Sequence, residues 1–62
     1  MHKDKIIEFN IKILELLKHS KRANKEQLID DCNYRIENAA NLEFSDQEDS
    51  RDLLNELETE VI

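Results

Sequence analysis

The 62-residue sequence contains neither glycine nor proline. Glycine supplies positive φ angles in tight turns and allows a close approach of backbone to phosphate, and proline fixes turn geometry. The sequence therefore lacks the residues that the tight turns of a hairpin-rich sheet fold need, and it cannot form a glycine-rich phosphate loop. Both absences favour a helical chain with short connections.

Cysteine and histidine are also scarce. Cys32 is the only cysteine, so no disulfide can form within one chain. His2 and His19 are distant from Cys32 and lack the ligand spacing of a zinc site. We therefore predict no metal and no cofactor. A lone thiol and the lack of a visible secretory signal are typical of the cytoplasm, and no apolar stretch approaches the roughly 18 residues that a membrane span needs.

No set of residues predicts catalysis. The two histidines lie in a terminus and in a linker, so a Ser–His–Asp arrangement has no candidate members. Paired carboxylates can act as acid and base only in a pocket that raises one pKa. The densest acidic run, at residues 46–52, instead resembles the start of a solvated helix. We predict that the chain is not an enzyme.

Charge is distributed unevenly along the chain. Residues 1–25 hold seven Lys or Arg against three acids, a net charge of +4, and residues 26–62 hold two against twelve, a net charge of −10. One interpretation is internal complementarity between a basic and an acidic part. The other is an acidic surface that faces a partner.

The first predicted helix spans about residues 4–19, with Asp4 as its N-cap. Its apolar positions cover nearly two-thirds of the helix circumference, although a surface helix normally needs a stripe of about 100° or somewhat more. We therefore expect cover from two other helices, or from one helix and a second subunit. The residues on this helix that we predict to form an interface are Phe9, Asn10, Ile13, Leu16 and Leu17.

Asn10 lies in the middle of that apolar arc. A buried amide costs stability unless its hydrogen bonds are made. In coiled coils a lone Asn in the helix contact sets register and oligomer number. The sequence leaves two interpretations open, a paired amide at a helix contact and an amide at a frayed or wet edge.

The second predicted helix spans about residues 25–42 and follows Asn24, a good N-cap residue. Cys32 lies at the centre of its apolar face, where a small buried hydrophobe is the expected role. Tyr34 lies on the opposite, polar face. Because exposed aromatic side chains often anchor interfaces, we count Tyr34 among the interface candidates.

The third predicted helix spans about residues 46–61. Ser45 and Glu48 have the S-x-x-E spacing of a capping box. The apolar stripe consists of Ser50, Leu53, Leu54, Leu57 and Val61. An acidic surface is predicted on the far side, formed by Asp49, Asp52, Glu56 and Glu60.

The sequence thus predicts a single small all-α domain over residues 1–62. Its architecture is three short helices, or a helical hairpin with a bent second arm, in a bundle that is expected to be dimeric. Phage, plasmid and other accessory genes encode many small helical proteins of this kind. The predicted function is a non-catalytic cytoplasmic regulator that self-associates as a homodimer and binds another protein.

Two alternatives remain open at the sequence level. The first is an acidic nucleic-acid mimic that inhibits a basic partner. The second is a small RNA-binding dimer that uses the basic cluster at residues 18–25. Nucleic acid is the less favoured partner, because the acidic second and third helices repel phosphate.

Overall fold

The computed structural model describes residues 2–61, and it describes the side chains of residues 3–60. The helix α1 spans His2–Leu17, α2 spans Lys25–Asn38, and α3 spans Phe44–Val61. A short 3-10 turn, Ala39–Asn41, follows α2 directly. No strand occurs in residues 2–61. The predicted all-α class with three helices is confirmed, and the second and third helices are separate elements.

The helix starts differ from those expected at two of the three positions. Asp4 lies in the first turn of α1 and is not its N-cap, because the helix already begins at His2. Asn24 does precede α2, but its side chain makes no capping hydrogen bond. At α3 the Asp46 carboxylate accepts the N–H of Glu43 at 2.9 Å. Glu43 therefore occupies the N-cap position, with one half of a capping box supplied by Asp46. The predicted box of Ser45 and Glu48 is wrong, since Ser45 already lies inside the helix.

Helix α1 is the central element of the fold. It packs against both α2 and α3, whereas within the described chain no Cα atom of α2 lies within 8 Å of a Cα atom of α3. The short connections make α2 run back along α1. Helix α3 runs parallel to α1, because Asn10 contacts Ser50 in the first half of α3 and Arg22 contacts Glu60 near its end.

The core joins all three helices. Its fully buried members come from the inner line of α1, from Cys32 of α2 and from the leucines of α3. In α3 the predicted apolar stripe is buried or half-buried from Ser50 to Leu57, while the side chain of Val61 lies outside the described ones. The core cluster consists of Ile13, Leu17, Cys32, Leu54 and Leu57.

Candidate interaction surfaces

The amide of Asn10 is fully buried between the three helices. Its Nδ2 donates to the carbonyl of Ile6 at 2.7 Å and to the Ser50 hydroxyl at 3.0 Å. Its Oδ1 accepts a hydrogen bond from the Nε of Arg35 at 2.7 Å. The Ser50 hydroxyl in turn donates to the carbonyl of Asp46 at 2.9 Å. Asn10 is therefore a paired amide at a helix contact, and its partners belong to the same chain.

Arg35 closes this network from α2. Its Nη2 also lies 3.6 Å from the Sγ of Cys32, so two of its donors meet uncharged acceptors. Among the described side chains no carboxylate lies within ion-pair distance of Arg35, whereas Arg22 and Arg51 both have acidic partners. Since Arg35 lies in the last turn of α2, the helix dipole favours its charge there.

Cys32 lies inside the core, as its predicted role as a small buried hydrophobe requires. Burial raises the pKa of its thiol, and the neighbouring guanidinium of Arg35 opposes that rise. A nucleophilic cysteine needs exposure and a lowered pKa. Cys32 is instead buried and the pKa of its thiol is raised, so its environment does not favour a nucleophilic role.

Arg22, in the connection between α1 and α2 (residues 18–24), forms ion pairs with the end of α3. Its Nε lies 3.1 and 2.9 Å from the two carboxylate oxygens of Glu60, and its Nη2 also bonds Glu60. A longer ion pair of 3.9 Å joins Arg22 to Glu56. The hydrogen bond to Arg22 lowers the pKa of Glu60, and the same contact raises the pKa of Arg22. Part of the opposite charge of the two ends of the sequence is thus paired within one chain.

The predicted acidic surface is exposed at all four of its positions. Glu56 and Glu60 form ion pairs with Arg22, so the negative charge at this end of the acidic surface is partly neutralised. Asp49 and Asp52 make no ion pair with any described side chain, so their charge faces solvent.

Some cations of the basic cluster at residues 18–25 have acidic partners within the chain, and others have none among the described side chains. Arg22 binds the carboxylates of α3, and Lys18 lies 3.5 Å from Glu15. Lys21 is exposed beside His19, Ser20 and Glu60, and these four residues line a shallow surface depression. A phosphate group at this cluster would therefore meet Glu60 as well as the cations.

The six interface candidates fall into two groups. Asn10, Ile13 and Leu17 are fully buried in the chain's own interior, so the sequence alone overestimated what this helix offers to a partner. Phe9 and Leu16 are half-buried and pack against the core cluster. Tyr34 is 60 % exposed on the outer face of α2. A partner contact stays a prediction for Phe9, Leu16 and Tyr34.

Two further exposed apolar residues were not singled out in the sequence. Ile11 on α1 is 50 % exposed, and Phe44 at the start of α3 is 56 % exposed. The signal for Ile11 was present, because it lies at the margin of an apolar arc wider than its neighbours can cover. Phe44 belongs to no stripe, so its exposure had no periodic signal.

Residues 3–60 include no group of three or more His, Cys, Asp or Glu side chains placed to hold a metal ion. None of the described helices has the length and apolar character that crossing a bilayer requires. Comparisons with protein-family models, with curated proteins and with solved structures found no match for this chain.

Proposed function

We propose that this chain is a non-catalytic interaction module, a small cytoplasmic regulator that self-associates and binds another protein. The observation that carries the proposal is the exposure of large apolar side chains on a completed fold. Ile11, Tyr34 and Phe44 are each half exposed or more. Every buried side-chain N or O atom of the described residues has a hydrogen-bond partner.

Tyr34 is the strongest candidate for contact with another protein. It lies on the outer face of α2, away from the core, with Asp30 and Glu37 exposed one turn to either side. A tyrosine ring offers a large contact area with little loss of conformational freedom, and aromatic residues are enriched among the side chains that dominate binding energy. The acidic neighbours favour a partner surface that carries Lys or Arg around a pocket for the ring.

The test is capture of the partner with matched variants. Wild type, Tyr34→Ala and Asn33→Ala are used as bait in extracts of the source organism, and any captured protein is then purified and titrated. Asn33 is exposed next to Tyr34, so Asn33→Ala controls for the change on the same helix. We expect Tyr34→Ala to weaken binding at least about tenfold and Asn33→Ala to preserve it. Equal binding by all three proteins would contradict the role of Tyr34.

The two alternatives give different results in the same titration. A nucleic-acid mimic acts through charge, so its affinity should fall steeply as salt rises, whereas an aromatic anchor should be much less sensitive. An RNA-binding dimer should shift RNA in a gel, and Lys21→Ala should weaken that shift. Arg22→Ala is unsuitable for this purpose, because Arg22 also holds α3.

A further inference from the structure

One flank of α1 carries residues at alternating spacings of three and four that its neighbours leave partly uncovered. Ile11, in the middle, is 50 % exposed. Ile7 and Leu14 are half-buried on either side of it, and the residues at the two ends are exposed. Alternation of three and four is the spacing by which one helix contacts another along its length. The members of this outer stripe are Asp4, Ile7, Ile11 and Leu14 of α1, and Lys18, the first residue after the helix.

The two ends of the outer stripe carry opposite charges. Asp4 and Lys18 are 14 positions apart, about 21 Å along a helix, so they cannot contact each other within one chain. Asp4 has no ion pair with any described side chain. Lys18 lies 3.5 Å from Glu15, but the two side chains are 67 % and 66 % exposed, so that pair is weak. Both ends are therefore available to a partner.

We propose that two copies of this chain pair through the outer stripe of α1, antiparallel, with the two-fold axis beside Ile11. This inference rests on the self-association that is part of the proposed function, and it identifies the surface through which the two copies associate. In this arrangement Asp4 faces Lys18 of the partner subunit, and Lys18 faces the partner's Asp4. Ile11 meets its own copy at the centre, and Ile7 lies near Leu14 of the partner subunit.

A second copy fits this stripe because the stripe is complementary to itself. A two-fold interface requires that if residue i contacts residue j of the partner, then j also contacts i. Reversing the direction of the outer stripe exchanges Asp4 with Lys18 and keeps the apolar centre in place. A parallel pair would set Asp4 against Asp4 and Lys18 against Lys18, so the charges select the antiparallel orientation.

The first experiment changes the centre of the stripe. Wild type, Ile11→Asp and Phe44→Asp are compared by sedimentation from about 1 µM to about 1 mM. Phe44 is as exposed as Ile11 but lies on α3, outside the stripe, so its variant controls for adding a charge to an exposed apolar site. We expect wild type and Phe44→Asp to dimerise alike and Ile11→Asp to dimerise at least about tenfold more weakly. Circular dichroism checks that all three stay folded.

The second experiment uses the charges at the ends. Asp4→Lys alone and Lys18→Asp alone each place like charges together in the antiparallel pair, so each should dimerise more weakly than wild type. An equal mixture of the two variants restores opposite charges at both ends, so it should dimerise about as well as wild type. The effects should shrink at high salt.

The outcomes test two claims separately: that the chain self-associates, and that it does so through the outer stripe. If wild type runs as a monomer throughout the concentration range, both self-association and the outer stripe are overturned. Binding of another protein through Tyr34 is then still tested by the titration of the Tyr34 variant. A dimer that Ile11→Asp does not weaken overturns the outer stripe and keeps self-association. Single charge variants that dimerise as wild type does overturn the antiparallel orientation.

Discussion

Arg35 of α2 donates its Nε–H to the Oδ1 of Asn10 in α1 over 2.7 Å. The same amide donates to Ser50 of α3. One residue therefore bonds side chains from both flanking helices, although no Cα atoms of these two helices lie within 8 Å of each other among the described residues. Because a slipped helix would break these bonds, Asn10 fixes the register of all three helices.

We expect Asn10→Ala to lower the free energy of unfolding by about 2 kcal/mol, because it leaves the Arg35 donor without its acceptor and opens a small cavity. Urea unfolding followed by circular dichroism measures the change. Asn33→Ala, at an exposed helical position, should stay within about 0.5 kcal/mol of wild type. In a double-mutant cycle, Asn10→Ala and Arg35→Ala should be coupled by about 1 kcal/mol. Additive losses would show that the hydrogen bond contributes nothing.

The start of α3 provides a second stability test. Asp46→Ala should cost about 1 kcal/mol, since its carboxylate accepts the Glu43 N–H and also lies at the positive end of the helix dipole. Ser45→Ala should cost much less, because Ser45 lies inside the helix. Thermal unfolding of the two variants under identical conditions decides between them. A larger loss for Ser45→Ala would restore the S-x-x-E box as the cap.

Periodicity predicted the three helices because each has one apolar face that the fold buries. It also identified Asn10 as anomalous and placed Tyr34 on an outer face. The partners of Asn10 were not predictable, since they lie 25 and 40 positions away and depend on how the helices pack.

The N-cap of α3 was predicted at the wrong residue, because two pairs of residues with the spacing of a capping box overlap there. Ser45 and Glu48 have the spacing of a capping box, and Glu43 and Asp46 have the same spacing two residues earlier. Local preference favours Ser as N-cap, but the chain begins the helix at Phe44. The contact between Arg22 and Glu60 was also missed, because Arg22 lies in a connection whose path has no periodic signal.

Burial of Cys32 has a chemical consequence. Its side chain is fully buried and its thiol pKa is raised, so the thiolate is scarce and inaccessible in the folded protein. We expect a thiol reagent at pH 8 to label the folded protein at least about a hundredfold more slowly than the protein in denaturant. Mass spectrometry follows the labelling. Asn33→Cys in a Cys32→Ser background puts the thiol at an exposed site and should react rapidly, whereas equal rates for the two proteins would contradict the buried position.

The contact between Arg22 and Glu60 predicts a specific pH dependence. The hydrogen bond to Arg22 lowers the pKa of Glu60 in the folded state. Between the ordinary glutamate value of about 4.3 and that lowered pKa, the unfolded chain therefore binds more protons than the folded one. The stabilising contribution of Glu60 is fully present at neutral pH and is lost as pH falls through the folded pKa.

Glu60→Gln removes this contribution, so we expect it to lower the free energy of unfolding at pH 7 and to match wild type once the carboxylate is protonated. Urea titrations of both proteins at a series of pH values measure the difference. Glu58→Gln is the matched control, because Glu58 is exposed on the same helix and makes no ion pair with any side chain of residues 3–60; its difference from wild type should be small at every pH. Raised salt should reduce the Glu60 effect at pH 7, since both partners are partly exposed. A difference between wild type and Glu60→Gln that persists unchanged into strong acid would mean that the glutamate stabilises α3 by its packing and not by its charge.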